Sequence, residues 1–263
     1  ALVLQAIQER GLSQDGLTDR ALAQSLLMST ATPLKDADGN YYSLLQQGAG
    51  MVNTAAATSA DSYVLVEGQD DGKVKAELGD DPEREGVYTF SFTLHNLDEA
   101  EKHFALSAEL FTQAVVEGYA NLKQSQEETA LFQSTTTTPL MAVTTWTVDG
   151  QPVNNAGDAD HWDFNGDGKT DAGDAQALLD FATGAQASIE NVSYADLNGD
   201  GSVSTYDVHV FLKRLGRDSV TLPANGSAEL TVTLCLTDAQ KQEIDARYTG
   251  GAFIQGLIRA EVL

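Results

Sequence analysis

The chain has 263 residues, of which 42% are hydrophobic and 21% are charged, a balance typical of folded domains. Its formal net charge is −24, from 39 acidic and 15 basic residues, and this charge repels the phosphate groups of nucleic acids. We therefore expect no nucleic-acid binding. We expect no membrane insertion either, because no apolar run approaches the roughly 20 residues that span a bilayer.

Residues 1–60 are predicted to contain two amphipathic helices. Gly11 ends the first helix, and Thr18 is the expected N-cap of the second, since its hydroxyl can accept a hydrogen bond from the first turn. The apolar residues that recur at helical spacing are Leu2, Val3, Ala6 and Ile7 in the first helix and Leu22, Leu26 and Leu27 in the second. Helices this short need a packing partner for their apolar stripes.

Residues 61–157 and 218–263 are predicted to form strands. Apolar and polar residues alternate over Val87–Leu94 and over Leu230–Leu236, so each strand has one apolar side. Further strands are expected over Phe104–Phe111 and Phe253–Val262. Short strands separated by turns are typical of an immunoglobulin- or fibronectin-like β-sandwich, so the expected fold class is mixed and mainly β.

Residues 158–217 have a different composition, with two acid- and glycine-rich loops that are each followed by a helical pattern. A compositional change inside a sandwich indicates an inserted module, because a loop tip tolerates a guest whose ends lie close together. The sequence therefore predicts a two-helix insertion in the sandwich.

The two loops, Asp163–Asp174 and Asp196–Asp207, are predicted to bind calcium. Calcium takes six to eight oxygen ligands, and a twelve-residue loop supplies them from positions 1, 3, 5, 7, 9 and 12. In the first loop these positions hold Asp163, Asn165, Asp167, the carbonyl of Lys169, Asp171 and Asp174. In the second loop they hold Asp196, Asn198, Asp200, the carbonyl of Ser202, Ser204 and Asp207.

Glycine and charge support the same interpretation of these loops. Position 6 must turn sharply with a positive φ, and it is glycine in both loops, Gly168 and Gly201. The carboxylates in each loop repel one another unless a divalent cation lies among them. We expect two calcium ions, one in each loop. The alternative, acidic surface loops without an ion, is disfavoured because the pattern occurs twice.

An apolar stripe with the spacing i, i+3, i+4, i+7 follows each loop. The stripes are Ala175, Leu178, Leu179 and Ala182 after the first loop and Val208, Phe211, Leu212 and Leu215 after the second. Both the loops and the stripes are offset by 33 residues. Two such copies can bury their stripes against each other about a pseudo-twofold axis. No convincing helical pattern precedes either loop.

This duplicated loop and helix resembles a type I dockerin of the cellulosome kind, over residues 158–217. The resemblance implies a calcium-folded module that docks onto a cohesin domain of a scaffold protein. It also implies that loop positions 10 and 11 choose the partner, and here they are Ala172-Gly173 and Thr205-Tyr206. Since the two pairs differ, the sequence leaves open both cohesin docking and a purely structural, stiffening role.

The flanking segments resemble the C-terminal part of a subtilisin-like, cell-envelope serine protease. Met28–Pro33, followed by Gln47–Asn53, is similar to the end of its catalytic domain. Leu222–Glu229 and Gly251–Arg259 are similar to a turn and the closing strand of the fibronectin type III-like domain that comes next. The resemblance implies that the nucleophilic serine lies before Ala1, in a catalytic domain upstream in the same protein.

Together the resemblances imply three domains. They are an incomplete catalytic domain end over residues 1–60, a sandwich over 61–157 and 218–263, and the inserted dockerin-like module over 158–217. Residues 1–30 would then lack the catalytic core that they normally contact. We expect them to be loosely held or to pack on another apolar partner, such as a second chain.

The four histidines form no Ser/His/Asp pattern, so we expect no catalytic residue within this chain. The expected function is that of a non-catalytic part of an extracellular or cell-wall-associated subtilisin-like endopeptidase, with a calcium-binding docking or stiffening module. The alternative is a cell-surface adhesin or carbohydrate-binding protein that is attached through the dockerin-like module.

Overall fold

The computed structural model describes residues 1–12, 16–69, 71–116, 119–120, 137–153, 159–248 and 251–263. The chain forms two compact units. The first contains residues 1–101, 108–151 and 222–258, and the second contains residues 102–107, 152–221 and 259–263.

Helices occur before the first strand, in the middle of the chain and near its end. They are α1 (Leu2–Arg10), α2 (Asp19–Ser29), α3 (Leu44–Gln47), α4 (Thr54–Ser59), α5 (Ala159–Trp162), α6 (Ala172–Ala182), α7 (Thr205–Arg214) and α8 (Asp238–Arg247), with a 3-10 turn over Val192–Tyr194. As predicted, Gly11 ends α1 with a φ of 65°, and the Thr18 hydroxyl accepts a hydrogen bond from the Ala21 N–H. Within the described residues, no helix is both long enough and apolar enough to cross a bilayer.

The strands form two antiparallel sheets and one small ribbon. They are β1 (Ser62–Val66), β2 (Val87–Asn96), β3 (Lys102–Gln113), β4 (Val115–Val116), β5 (Tyr119–Ala120), β6 (Thr137–Leu140), β7 (Ala142–Val148), β8 (Gln151–Pro152), β9 (Ser219–Leu222), β10 (Ser227–Leu236) and β11 (Gln255–Val262). The first sheet has the order β1-β2-β10-β7-β8, and the second has the order β11-β3-β6 with β9 also paired to β3. The ribbon is β4-β5.

Alternation along β2 and β10 gives the first sheet one apolar side, as the sequence predicts. The apolar residues Leu230, Val232, Leu234 and Leu236 are all buried. On the other side, hydroxyls pair across the strands, with 2.7 Å between Ser91 Oγ and Thr231 Oγ1. The expected mixed, mainly β fold with two antiparallel sheets is confirmed.

The N-terminal helices are not loosely held. They pack on another apolar partner, the second of the two expected alternatives, and this partner lies within the chain and not in a second one. Residues from α1, α2, α4 and β1 form one apolar cluster, namely Val3, Ile7, Leu22, Ala23, Leu26, Ala57 and Tyr63. Arg10 Nη1 donates to the carbonyls of Thr58 and Ala60, at 3.0 and 2.8 Å. Ser25 Oγ donates to the Val64 carbonyl at 2.7 Å. Strand β1 thus covers most of the apolar surface that a lone helix pair would expose, whereas Leu2, predicted to lie in the first stripe, is 64% exposed.

Tyr63 and His95 form a stacked pair across β1 and β2. Their ring centroids lie 4.6 Å apart with an interplanar angle of 7°, and the two residues are directly paired in the sheet. Tyr63 Oη and His95 Nε2 are buried, and neither has a hydrogen-bond partner among the residues that the structure describes. Burial raises the pKa of Tyr63 and lowers the pKa of His95, since it penalises the charged form of each group.

Candidate metal centre

The first aspartate of each loop organises the backbone around it. Asp163 Oδ1 accepts hydrogen bonds from the N–H groups of Gly166 and Asp167, at 2.7 and 3.0 Å, and its Oδ2 accepts one from Gly168 at 2.8 Å. Asp196 accepts the equivalent three bonds, from Gly199, Asp200 and Gly201. The sixth residue has a φ of 82° in the first loop and 87° in the second. Glycine is therefore required there, because this turn is costly for other residues.

The last aspartate of each loop closes it. Asp174 Oδ1 accepts from the N–H groups of Phe164 and Asn165, at 2.8 and 3.1 Å, and its Oδ2 accepts from Asp171 N–H at 2.8 Å. Its counterpart Asp207 accepts from the same loop positions, 2, 3 and 9, whose residues are Leu197, Asn198 and Ser204. Each aspartate also completes a capping box at the start of the following helix.

The middle ligand positions repeat the same turns. Asn165 Oδ1 accepts from Asp167 N–H, and Asp167 Oδ1 accepts from Lys169 N–H, both at 2.9 Å. In the second loop, Asn198 and Asp200 make the equivalent bonds, at 3.0 and 2.9 Å. The side chains of Asn198 and Ser202 also donate to Asp200, and these bonds hold its pKa below the ordinary value.

The side chains at loop position 9 differ between the copies. Asp171 Oδ1 accepts from Gly173 N–H at 2.7 Å. Ser204 Oγ instead donates to Asp207 Oδ2 at 3.0 Å and accepts from Tyr206 N–H at 3.1 Å. The first loop therefore carries one carboxylate more than the second.

The carboxylates alone do not form a metal site. Among the described residues, no three His, Cys, Asp or Glu side chains are grouped so that they could hold an ion by themselves. The loop carboxylates direct oxygens at backbone N–H groups instead, as the bonds to Asp163 and Asp174 show. An ion in these loops would also need the side-chain amide oxygen at position 3 and the backbone carbonyl oxygen at position 7. In the second loop it would need the hydroxyl oxygen at position 9 as well.

The buried charges nevertheless suit a cation. Asp174 and Asp207 are fully buried, with 0% of each residue exposed. The donors to them are the backbone N–H groups and, for Asp207, the Ser204 hydroxyl, all of which are neutral. A buried carboxylate without a countercharge is costly, and an all-oxygen ligand set is the one that calcium prefers. The chemistry of the twelve predicted ligands therefore fits a hard divalent cation.

One apolar core supports both loops. Its buried residues come from both copies and are Trp162, Phe164, Ala175, Ala177, Leu178, Ala195, Leu197, Val208, Val210 and Phe211. The Phe211 ring lies 5.8 Å from the Trp162 ring and 5.7 Å from the Phe164 ring. Since α6 and α7 pack on each other, the two loops belong to one folded body.

Two parts of this core differ from the sequence prediction. Leu212, assigned to the buried stripe, is 51% exposed, because the buried side of α7 is centred on Phe211 and Leu212 lies about 100° further around the helix. Arg214 is buried instead, and its Nη2 donates to the Leu197 carbonyl at 3.1 Å beside the Trp162 ring.

The short helix α5 and the 3-10 turn precede the loops, where no helix was predicted.

Comparison with known protein families agrees with this duplicated arrangement. Residues 161–216 match a type I dockerin domain. Dockerin domains of this type bind calcium and dock onto cohesin domains of scaffold proteins. No curated protein matches the chain. The dockerin resemblance of the sequence is thus confirmed, whereas the comparisons give no support to a subtilisin-like protease.

Loop positions 10 and 11, which the dockerin resemblance implies are the ones that choose the partner, are exposed in both copies. Ala172 and Gly173 offer little side-chain surface, whereas Tyr206 is 58% exposed and its ring lies 6.0 Å from the ring of His209. The repeat offset of 33 residues also places Ala195 at the position equivalent to Trp162, and both residues are buried in the shared core. The apolar stripes that follow the loops in sequence did not predict this pair.

Proposed function

We propose that the dockerin domain binds two calcium ions, one in each loop, and attaches the chain to a cohesin domain of a scaffold protein. The ligands are the side chains or carbonyls at loop positions 1, 3, 5, 7, 9 and 12. They are Asp163, Asn165, Asp167, Lys169, Asp171 and Asp174 in the first loop, and Asp196, Asn198, Asp200, Ser202, Ser204 and Asp207 in the second.

The observation that carries this proposal is the repeated bonding of the two loops. Asp163 and Asp196 bind the same three N–H positions, and so do Asp174 and Asp207. A surface loop without a ligand has no reason to keep this arrangement twice. The match to a calcium-binding, cohesin-docking family supports the same role.

The remainder of the chain is proposed to be the C-terminal part of an extracellular subtilisin-like serine endopeptidase. In this proposal, residues 1–60 end the catalytic domain, and residues 61–157 and 218–263 form a fibronectin type III-like sandwich that carries the dockerin insertion 158–217. The support is the order of the resembling motifs, together with a turn before β10 and a strand, β11, within the segments expected to hold them. The chain itself would then lack peptidase activity.

Docking is tested with purified cohesins. The full 263-residue chain is titrated against type I cohesin domains encoded by the source organism, in millimolar calcium and in excess chelator. We expect at least one cohesin to bind with a Kd below micromolar in calcium and not in chelator. The matched control is the double variant Asp163→Ala/Asp196→Ala, which should not bind in either buffer. If no cohesin binds in calcium, the stiffening role is favoured over docking.

The protease assignment has its own test. The gene sequence before Ala1 should encode a glycine-threonine-serine nucleophile motif, with the catalytic histidine and aspartate further upstream. An adhesin or carbohydrate-binding domain in that place would overturn the assignment. The dockerin proposal does not depend on this outcome.

A further inference from the structure

The two copies of the dockerin domain present different surfaces, although their loops and core are equivalent. The exposed residues of α7 include Tyr206, His209, Leu212 and Lys213, which the spacing of a helix places on one side. Tyr206 is 58% exposed and Leu212 is 51% exposed. We call this set the α7 face. It combines apolar surface with one cationic side chain and no exposed acid.

The matched residues of α6 lack these properties. They are Gly173, Gln176, Leu179 and Asp180, each 33 positions before its counterpart. Leu179 packs against the core. Gln176 Nε2 donates to Asp180 Oδ1 at 2.8 Å, so these two polar side chains of α6 are hydrogen-bonded to each other. The charge is also reversed, with Asp180 where α7 has Lys213.

We infer that cohesin docking uses the α7 face and not the matched side of α6. This inference rests on the proposed docking function. Exposed apolar side chains beside an aromatic ring are the usual centre of a protein interface, whereas small polar residues contribute little binding energy. The α6 side offers neither an aromatic residue nor exposed apolar area of this kind.

Charge identifies the chemistry of the partner surface. The chain has 39 acidic residues and only 15 basic ones, yet Lys213 forms no ion pair among the described residues. An acidic group on the partner would pair with Lys213, and the rest of this acidic chain would repel such a group elsewhere. The α7 face therefore fits a cohesin surface that has an apolar centre and carboxylates at its rim.

The test compares matched variants of the two helices. The cohesin that binds the wild-type chain most tightly is titrated calorimetrically, in millimolar calcium, against Tyr206→Ala, Lys213→Asp, Gln176→Ala and Asp180→Ala. We expect the two α7 variants to weaken the Kd at least tenfold, and the two α6 variants to change it less than threefold. Because all four side chains lie outside the core, the calcium-loaded melting temperature should stay unchanged, which excludes misfolding as the cause.

The outcomes separate this inference from the function on which it rests. Equal or larger losses in the α6 variants, or unchanged binding in both α7 variants, would overturn the choice of face and leave docking intact. A wild-type chain that binds no cohesin in calcium would overturn docking itself, and the inference with it.

Discussion

His161 and Tyr194 occupy equivalent positions just before the two loops, 33 residues apart, and their ring centroids lie 4.2 Å from each other. Residues related by the repeat therefore meet where the two copies join. Phe211 of the second copy also contacts Trp162 and Phe164, which belong to the first. The loops share one core, so the occupancy of one should affect the stability of the other.

Coupling of the loops predicts non-additive variants. Asp163→Ala and Asp196→Ala should each lower the free energy of unfolding of the dockerin domain by up to about 2.7 kcal/mol, at calcium near 100 times the Kd. The double variant should lose less than the sum, because a shared core fails once either loop is lost. Chemical denaturation in a Trp146→Phe background reads this domain through Trp162, the remaining tryptophan.

Asp180→Ala is the control for the loop variants, since it removes the same charge outside the loops and should change stability by less than about 0.5 kcal/mol. Full additivity of the two loop variants would show that the loops fold independently, contrary to the shared core.

Neighbouring residues of α7 provide a second prediction. Phe211 is fully buried, so Phe211→Ala should lower the free energy of unfolding by about 3–5 kcal/mol. Leu212 is 51% exposed, so Leu212→Ala should change it by no more than about 0.5 kcal/mol. The same tryptophan signal in calcium measures both variants. A large loss for Leu212→Ala would restore the residue to the buried stripe that the sequence indicated.

The N-terminal cluster is tested with a buried and an exposed residue of α1. Ile7→Ala should destabilise the first unit by about 2–5 kcal/mol, because Ile7 is 2% exposed and contacts the cluster that includes Leu26 and Tyr63. Leu2→Ala, at a residue that is 64% exposed, is the matched control. A Trp162→Phe background reports this unit through Trp146. Equal, negligible effects would mean that residues 1–30 are loosely held after all.

The buried imidazole of His95 predicts a pH dependence. Its pKa is lowered in the folded state, so between pH 6.5 and that lower value the unfolded chain binds more protons than the folded chain. Neutral His95 therefore makes its full contribution to the free energy of unfolding above about pH 6.5. This contribution is lost as the pH falls through the pKa that His95 has in the folded state.

Denaturation of the first unit at pH 7 and pH 5, in chelator, measures this effect. The wild-type chain should lose more stability on acidification than His95→Phe, which keeps a ring against Tyr63 but cannot bind a proton. Identical pH dependence in both proteins would contradict the account of His95.

Local signals in the sequence predicted the turns of the loops and the strand alternation. The two glycines with positive φ and the alternation along β10 depend on neighbours in the chain, and the structure keeps both. The twelve ligands stay a prediction. Partners that are distant in sequence were not predictable. Nothing local indicated that β1 covers α1 and α2, or that Arg214 would be buried beside Trp162. The exposure of Leu212 was missed for a related reason, since a spacing rule does not fix the centre of a helix's buried side.

The most direct test of the central claim is the calcium stoichiometry of the chain. Isothermal titration of the chelator-treated protein with calcium should give two ions per chain, and none for Asp163→Ala/Asp196→Ala. Binding of two ions that depends on both aspartates is the result we predict. An absence of binding at millimolar calcium, or binding that the double variant retains in full, would contradict it.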